Sequence, residues 1–170
     1  DKTLANILRS LRSHGSGQNK YDNVRIGVNS RLDTIQAAIL IEKIKILRFE
    51  IEKRNHVADK YNAEIDQKID RPFIEDGNYS AWAQYTITTK NRDELSKYLY
   101  ESGIPTVIYY PKPLHLQSAY SKFPRYPEEL TVSEYLSGSV LSLPMHPYLS
   151  SDQQEYIIKA INKYSKVNKS

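Results

Sequence analysis

Arg25-Ile26-Gly27-Val28-Asn29-Ser30-Arg31-Leu32-Asp33-Thr34-Ile35-Gln36-Ala37-Ala38 is the stretch on which the reading of this chain turns. It passes from a polar, glycine-containing segment into the strongest helical pattern of the sequence. Gly27 permits a backbone turn or a close approach of a ligand. Ser30 and Asp33 form an S-x-x-D signature, a carboxylate variant of the capping box, and this predicts a helix starting at Ser30. The apolar positions that follow are Leu32, Ile35, Ala37 to Ile41, Ile44 and Leu47. From Ala37 to Ile41 the pattern is apolar all round, which predicts burial on every side of that turn. Glu42, Lys43 and Lys45 then narrow the apolar face to a stripe. Ile51, Val57, Ala58, Tyr61 and Ile65 carry the pattern onward, and no proline interrupts residues 30–68. The region reads as one long helix or as two with a bend.

The start of such a helix offers free N–H groups and the positive end of the dipole, which together favour an anion. Asn29 and Ser30 stand at this point, and Arg31 adds a planar fork suited to carboxylate or phosphate. Two readings are open: a phosphate or carboxylate site, or a plain helix cap beside a solvated arginine. From the residues alone the plain cap is the simpler one.

Upstream, residues 2–13 read as a short helix with Leu4, Ile7, Leu8 and Leu11 at helical spacing. His14-Gly15-Ser16-Gly17 ends it, and residues 15–23 form a polar loop. Downstream, Arg71-Pro72 breaks the helical pattern. Residues 81–89 are aromatic and β-branched and predict a strand. Asn91 to Ser102 reads as a helix closed by Gly103. Thr106 to Tyr110 is a second strand, stopped by Pro111 and Pro113. Residues 111–127 form a Pro- and Tyr-rich loop, Glu128 to Leu136 is helical, and Val140 to Leu143 is a third strand. Ser150 or Ser151 caps a last helix with Tyr156, Ile157, Ala160, Ile161 and Tyr164 on its inner face. The predicted class is α+β, with a small sheet of about three strands covered by helices and preceded by a long helix.

With 170 residues and 39% hydrophobic content the chain can bury a core without staples. It contains no cysteine, which excludes disulfides, thiolate nucleophiles and zinc–thiolate sites. His14, His56, His115 and His146 show no close metal-ligand spacing. His146 reads as a turn histidine bonded to backbone, while His115, in the Pro-rich loop, is a candidate ligand contact. The net charge of +4 comes from scattered lysines, many beside glutamates, so a solvated surface is a better reading than a nucleic-acid site. Lys159, Lys163, Lys166 and Lys169 form the one tail-like cluster. Fourteen tyrosines are a high number, and tyrosine-rich surfaces often meet a partner or ligand. No apolar run approaches the roughly 18 residues that span a bilayer. The opening Asp1-Lys2-Thr3-Leu4, already helical in pattern, suggests a piece of something longer.

The run from Tyr21 to Ala38 resembles the G-x-N-x-R-[LM]-x-x-[IL]-Q-A-A hallmark of DegT/StrS-type aminotransferases, which are fold-type-I enzymes using pyridoxal 5'-phosphate (PLP). Trp82-Ala83-Gln84-Tyr85, Gly103-Ile104-Pro105-Thr106, Tyr110-Pro111-Lys112-Pro113-Leu114-His115 and Ser142-Leu143-Pro144-Met145-His146-Pro147 follow in matching order, so the likeness covers nearly the whole chain. It implies the C-terminal part of such an enzyme. Residues 1–30 would end the large PLP-binding domain, 31–68 would form a connecting helix, and 69–170 a small domain. It further implies a cytoplasmic homodimer with shared active sites, with no nucleic-acid or membrane partner. In that dimer Asn29 would reach the PLP phosphate of the other subunit and Arg31 would lie near the nucleotide-sugar. Tyr109, Tyr110 and His115 would fall in the substrate-contacting segment, with Tyr109 standing where relatives often carry histidine.

The reaction implied moves an amino group from an amino acid, glutamate being expected, to a keto-sugar nucleotide, expected to be UDP-linked, for surface polysaccharide synthesis. The Schiff-base lysine of the family has no counterpart here. Lys2, Lys20 and Lys43 read as surface lysines, so the isolated chain is expected to be inactive. Two alternatives remain at this stage: a sugar dehydratase of the same superfamily, with histidine in place of that lysine, and a non-enzymatic basic binding module.

Overall fold

The computed structural model describes residues 1–19, 21–123 and 130–167; Lys20, Glu128, Glu129, Lys169 and the end of the Pro- and Tyr-rich loop lie outside the described residues. The chain divides into two units, residues 1–47 and residues 48–170.

In the first unit, helix α1 spans Lys2–Leu11, and the Asp1 carboxylate accepts from Thr3 N at 2.8 Å and Leu4 N at 3.3 Å. The chain then returns alongside the end of α1. Val28 N donates to Leu11 O at 2.8 Å, His14 N to Val28 O at 3.0 Å and Ser30 N to Arg12 O at 2.9 Å, with Ser13 opposite Asn29. Two glycines allow this approach. A Cβ on Gly27 would lie 2.2 Å from Gly15 N and 2.5 Å from Leu11 O. A Cβ on Gly15, which sits at φ +75°, would lie 1.8 Å from Arg25 O. The sequence predicts a turn or a ligand approach at Gly27; the structure uses it for a close approach to the chain's own backbone.

Helix α2 spans Thr34–Glu64 as one 31-residue element. It starts later than the S-x-x-D signature predicts. Ser30 N is committed to Arg12 O, which holds residues 28–30 extended, so the capping role passes to Asp33. The Asp33 carboxylate accepts from Gln36 N at 2.8 Å and its carbonyl from Ala37 N at 2.9 Å. The turn predicted to be buried on every side is not buried within this chain: Ile39, Leu40 and Ile41 are 58%, 50% and 60% exposed. Among the described residues of the first unit only Gly15 is buried, so the unit has no interior of its own to receive that turn.

The second unit holds the core. Strands β1 (Tyr85–Thr88) and β2 (Val140–Leu143) pair antiparallel, from Tyr85 opposite Leu143 to Thr88 opposite Val140. Single bridges flank both edges, Asp70 with Thr88 and Val107 with Ser142. The strand predicted at 106–110 is thus reduced to one reciprocal pair, Ser142 N to Val107 O at 2.8 Å and Val107 N to Ser142 O at 3.2 Å. Pro105 and Pro111, which lack N–H donors, bracket it. β1 is shorter than the predicted 81–89 because Trp82 sits at φ 46°, outside extended geometry.

Helix α3 (Arg92–Glu101) ends at Gly103, φ +74°, with Ile104 N donating to Leu99 O at 2.8 Å and Gly103 N to Tyr100 O at 2.9 Å. This paired arrangement is a Schellman motif. Helix α4 covers Thr131–Ser139 and helix α5 Ser151–Val167. Ser150 caps α5 reciprocally: Gln153 N donates to Ser150 Oγ at 3.2 Å and Ser150 N to Gln153 Oε1 at 3.1 Å. On α5 the inner face takes Ile158 in place of the predicted Tyr156, which is exposed and donates from its hydroxyl to Ser102 O at 3.0 Å.

Tyr61, Tyr85, Ile87, Leu95, Leu99, Leu141 and Ile161 form the fully buried centre. The Tyr61 and Tyr85 rings meet at 4.9 Å. Their hydroxyls are satisfied by Pro144 O at 3.0 Å and Asn62 Oδ1 at 2.6 Å. Burial pushes the Tyr85 phenol up to about 12, with the Arg71 charge opposing, and burial pushes Tyr61 higher still, with Tyr85 adding to the rise.

Two predictions follow from this construction. In the unfolded chain these phenols ionise near 10, whereas the fold keeps them protonated. Above pH ~10 the unfolded state therefore binds fewer protons, and stability falls as pH rises toward the folded values. Urea midpoints should drop between pH ~10 and ~12, and the drop should be smaller in Tyr61→Phe. In the first unit, Gly27→Ala forces backbone apart at a cost of ~1–3 kcal/mol. Hydrogen exchange at His14, Val28 and Ser30 should accelerate by about tenfold or more, with the amides of β1 and β2 unchanged.

Candidate functional site

Asn29 and Arg31 lie together on the extended segment that the α1 pairing pins. Arg31 Nε donates to Asn29 Oδ1 at 3.0 Å, and both side chains are exposed. The late start of α2 alters the chemistry available to them. Asn29 and Ser30 are not at the helix terminus, Ser30 N is already used, and the Asp33 carboxylate occupies the terminus itself. The donors left exposed here are side-chain groups, the Asn29 amide Nδ2 and the Arg31 Nη atoms, and not helix amides. In the same unit, Arg25 Nη1 donates to Ser10 Oγ at 2.6 Å, and Ser10 Oγ donates to Ser16 O at 2.6 Å. Arg25, Arg9, Asn6 and Ser13 line an open polar depression of about 600 Å³. Sequence reading missed it because its partners come from both sides of a loop.

In the second unit, Tyr109 and Tyr110 are both exposed, with ring centres 5.6 Å apart and planes at 71°. They offer two aromatic faces and two hydroxyls at the loop that follows the Val107 bridge. His115 is placed differently. Its side chain is 12% exposed, and its Nε2 meets Glu134 Oε1 at 2.9 Å, tying the Pro-rich loop to α4. It lines an apolar cavity of about 360 Å³ with Leu114, Tyr120, Phe123 and Leu130, and neither Tyr109 nor Tyr110 reaches that cavity. His146 accepts from Tyr148 N at 3.2 Å through Nδ1, the backbone-bonded turn role that its context predicts.

A further polar cluster escaped the sequence reading. Arg54 Nη1 donates to Trp82 O at 3.1 Å, and Trp82 Nε1 donates to Asn55 Oδ1 at 3.1 Å. Asn55 Nδ2 in turn reaches Tyr79 Oη at 3.1 Å and Ser80 O at 3.2 Å. Asn55, Tyr79, Ser80 and Trp82, with Asn62, Asn78 and Arg71, border an open cavity of about 550 Å³. The adjacent Arg54-Asn55 pair was visible only as helix surface, because its partners are distant in the chain. Among the described residues no group of three or more His, Asp or Glu could hold a metal ion. No described helix is long and apolar enough to cross a membrane.

Comparison with known proteins bears on these features together. The DegT/DnrJ/EryC1/StrS aminotransferase family model matches residues 1–162. The chain is 41% identical over 162 residues to UDP-2-acetamido-2-deoxy-3-oxo-D-glucuronate aminotransferase of Pseudomonas aeruginosa, covering 95% of this chain and 44% of that protein. It is 38% identical over 165 residues to dTDP-3-amino-3,6-dideoxy-alpha-D-galactopyranose transaminase of Aneurinibacillus thermoaerophilus, covering 96% and 45%. Among solved structures, a DegT DnrJ EryC1 StrS aminotransferase from Brucella abortus superposes with a TM-score of 0.89 at 53% identity, over 96% of this chain and 44% of that one. The chain thus spans less than half the length of the relatives it matches. Enzymes of this family depend on PLP, and one solved relative, NtdA from Bacillus subtilis, holds its amino form, PMP. The α+β architecture described above, the ordered motifs and these matches agree: this chain belongs to the DegT/DnrJ/EryC1/StrS aminotransferase family.

Proposed function

We propose that this chain is the C-terminal part of a PLP-dependent nucleotide-sugar aminotransferase, and that it supplies half of a shared active site in a cytoplasmic homodimer. The observation that carries the proposal is the pairing of Asn29 with Arg31 on a pinned loop, within a chain matched to the family over residues 1–162. The donor set fits the cofactor's phosphate. Asn29 Nδ2 is an exposed donor of the kind a dianionic phosphate takes well, and the exposed Arg31 Nη edge is left for the nucleotide-sugar. When bound, the cofactor supplies the electron sink that allows an amino group to pass between an amino acid and a ketone. This chain binds and orients. Asn29 holds the phosphate of the partner subunit's cofactor, and Arg31 meets the nucleotide-sugar. Tyr109 and Tyr110 present aromatic faces and hydroxyls to the sugar. His115, already paired with Glu134, acts on the substrate by holding the loop in shape.

The bare apolar turn of α2 supports a second copy as partner. Ile39, Leu40 and Ile41 stand together with Ile35 and Ile44 exposed around them. A patch of this kind marks an interface, not a solvated surface. Glutamate is the proposed amino donor. A UDP-linked keto-sugar is the proposed acceptor, supported by the named activity of the Pseudomonas relative, and surface polysaccharide synthesis is the proposed use.

The test compares the intact parent protein with the isolated chain. Intact protein given glutamate should aminate a UDP-linked 3-keto N-acetyl sugar and prefer it to a dTDP-linked keto-sugar. The isolated chain should show no turnover, and borohydride should fix no stoichiometric PLP on any single lysine of it. Loss of water from the sugar without amino transfer, together with histidine at the upstream lysine position, would replace transfer by dehydration. A stoichiometric single-site adduct on the isolated chain would overturn its assignment as an incomplete half.

A further inference from the structure

The Asn29–Arg31 contact carries an inference about how the amide is aimed. An arginine Nε can only donate, so the Asn29 atom it faces at 3.0 Å is the carbonyl oxygen Oδ1, and Nδ2 is turned away from it. The backbone on either side is already fixed, by Val28 N to Leu11 O at 2.8 Å and Ser30 N to Arg12 O at 2.9 Å. The side-chain torsions of Asn29, the terminal amide torsion among them, are the freedom that remains. The Asn29 side chain is exposed, and no other hydrogen bond holds its amide among the described residues. Terminal amide torsions are broad and roughly two-fold, so an unheld asparagine would present oxygen to a ligand about as readily as nitrogen. Oxygen facing a phosphate is repulsive.

We propose that Arg31 is a positioning residue for Asn29: its Nε–H holds Oδ1 and so commits Nδ2 to donate to the cofactor phosphate. This rests on the reading of Asn29 given above. It assigns Arg31 a role distinct from substrate contact, one that uses Nε and leaves the Nη edge for a ligand.

The test uses intact parent enzyme stripped of cofactor, with PMP as the probe because it is held without a covalent link to the protein. Dissociation constants are measured for wild type, Asn29→Ala, Arg31→Lys and the double variant, and melting temperatures confirm that each variant folds. Lysine keeps the charge but loses the planar donor. Arg31→Lys should weaken PMP binding about fivefold when Asn29 is present, the size of one net hydrogen bond. In the Asn29→Ala background the same change should have no effect, since no amide remains to be aimed. Equal weakening in both backgrounds, or none in either, overturns the positioning role while leaving Asn29 as a phosphate ligand. Unchanged binding in Asn29→Ala removes both this inference and the reading on which it rests.

Discussion

Residues 28–30 pair with residues 11–14, and the chain comes that close because Gly15 and Gly27 carry no side chain; much of the first unit depends on that approach. Gly15 lies against Arg25 O and Gly27 against Gly15 N and Leu11 O; a methyl group on either would push the backbone apart. The pairing keeps Ser30 extended, which moves the start of α2 to Thr34 and hands the cap to Asp33. It also fixes the backbone from which Asn29 and Arg31 project. A steric condition at two glycines thus becomes an electrostatic arrangement several residues away, made of side-chain donors and not helix amides.

The second unit is held by a different principle. Its centre is a close-packed set of aliphatic and tyrosine side chains in which each phenol has an acceptor, and no described buried side-chain nitrogen or oxygen lacks a partner. The first unit has no comparable centre. A segment of that size cannot enclose a core alone, and it leaves isoleucine and leucine on its surface. One unit thus satisfies itself internally, while the other leaves its apolar side chains exposed. This division suits a polypeptide that contributes groups to a site completed elsewhere.

What was legible in the sequence was mostly local. The period of residues 34–64, the glycine that ends α3, the serine that caps α5 and the short strand at 140–143 each depend on neighbours in the chain, and all were readable there. The failures share a cause. The start of α2 was set by pairing with the end of α1, the strand predicted at 106–110 was cut back to one bridge between prolines, and the outward turn of Tyr156 goes with its bond to Ser102 O. The apolar run from Ala37 to Ile41 predicted burial that this chain does not supply, because periodicity cannot say whether a cover lies within the same chain. Of the candidate site, the residue types at 29 and 31 were readable. The bond between them was not, and neither was the engagement of His115 by Glu134.

The chain contains one tryptophan, and its indole is 7% exposed, 5.5 Å from the Tyr85 ring and bonded to Asn55. Emission excited at the red edge of the absorption band therefore comes from a single known place, the junction where α2 grips the segment leading into β1. Its wavelength reports the polarity around that indole and nothing averaged over the molecule. The protein thus carries a built-in optical probe of its second unit, one that stays silent about the loop bearing Asn29.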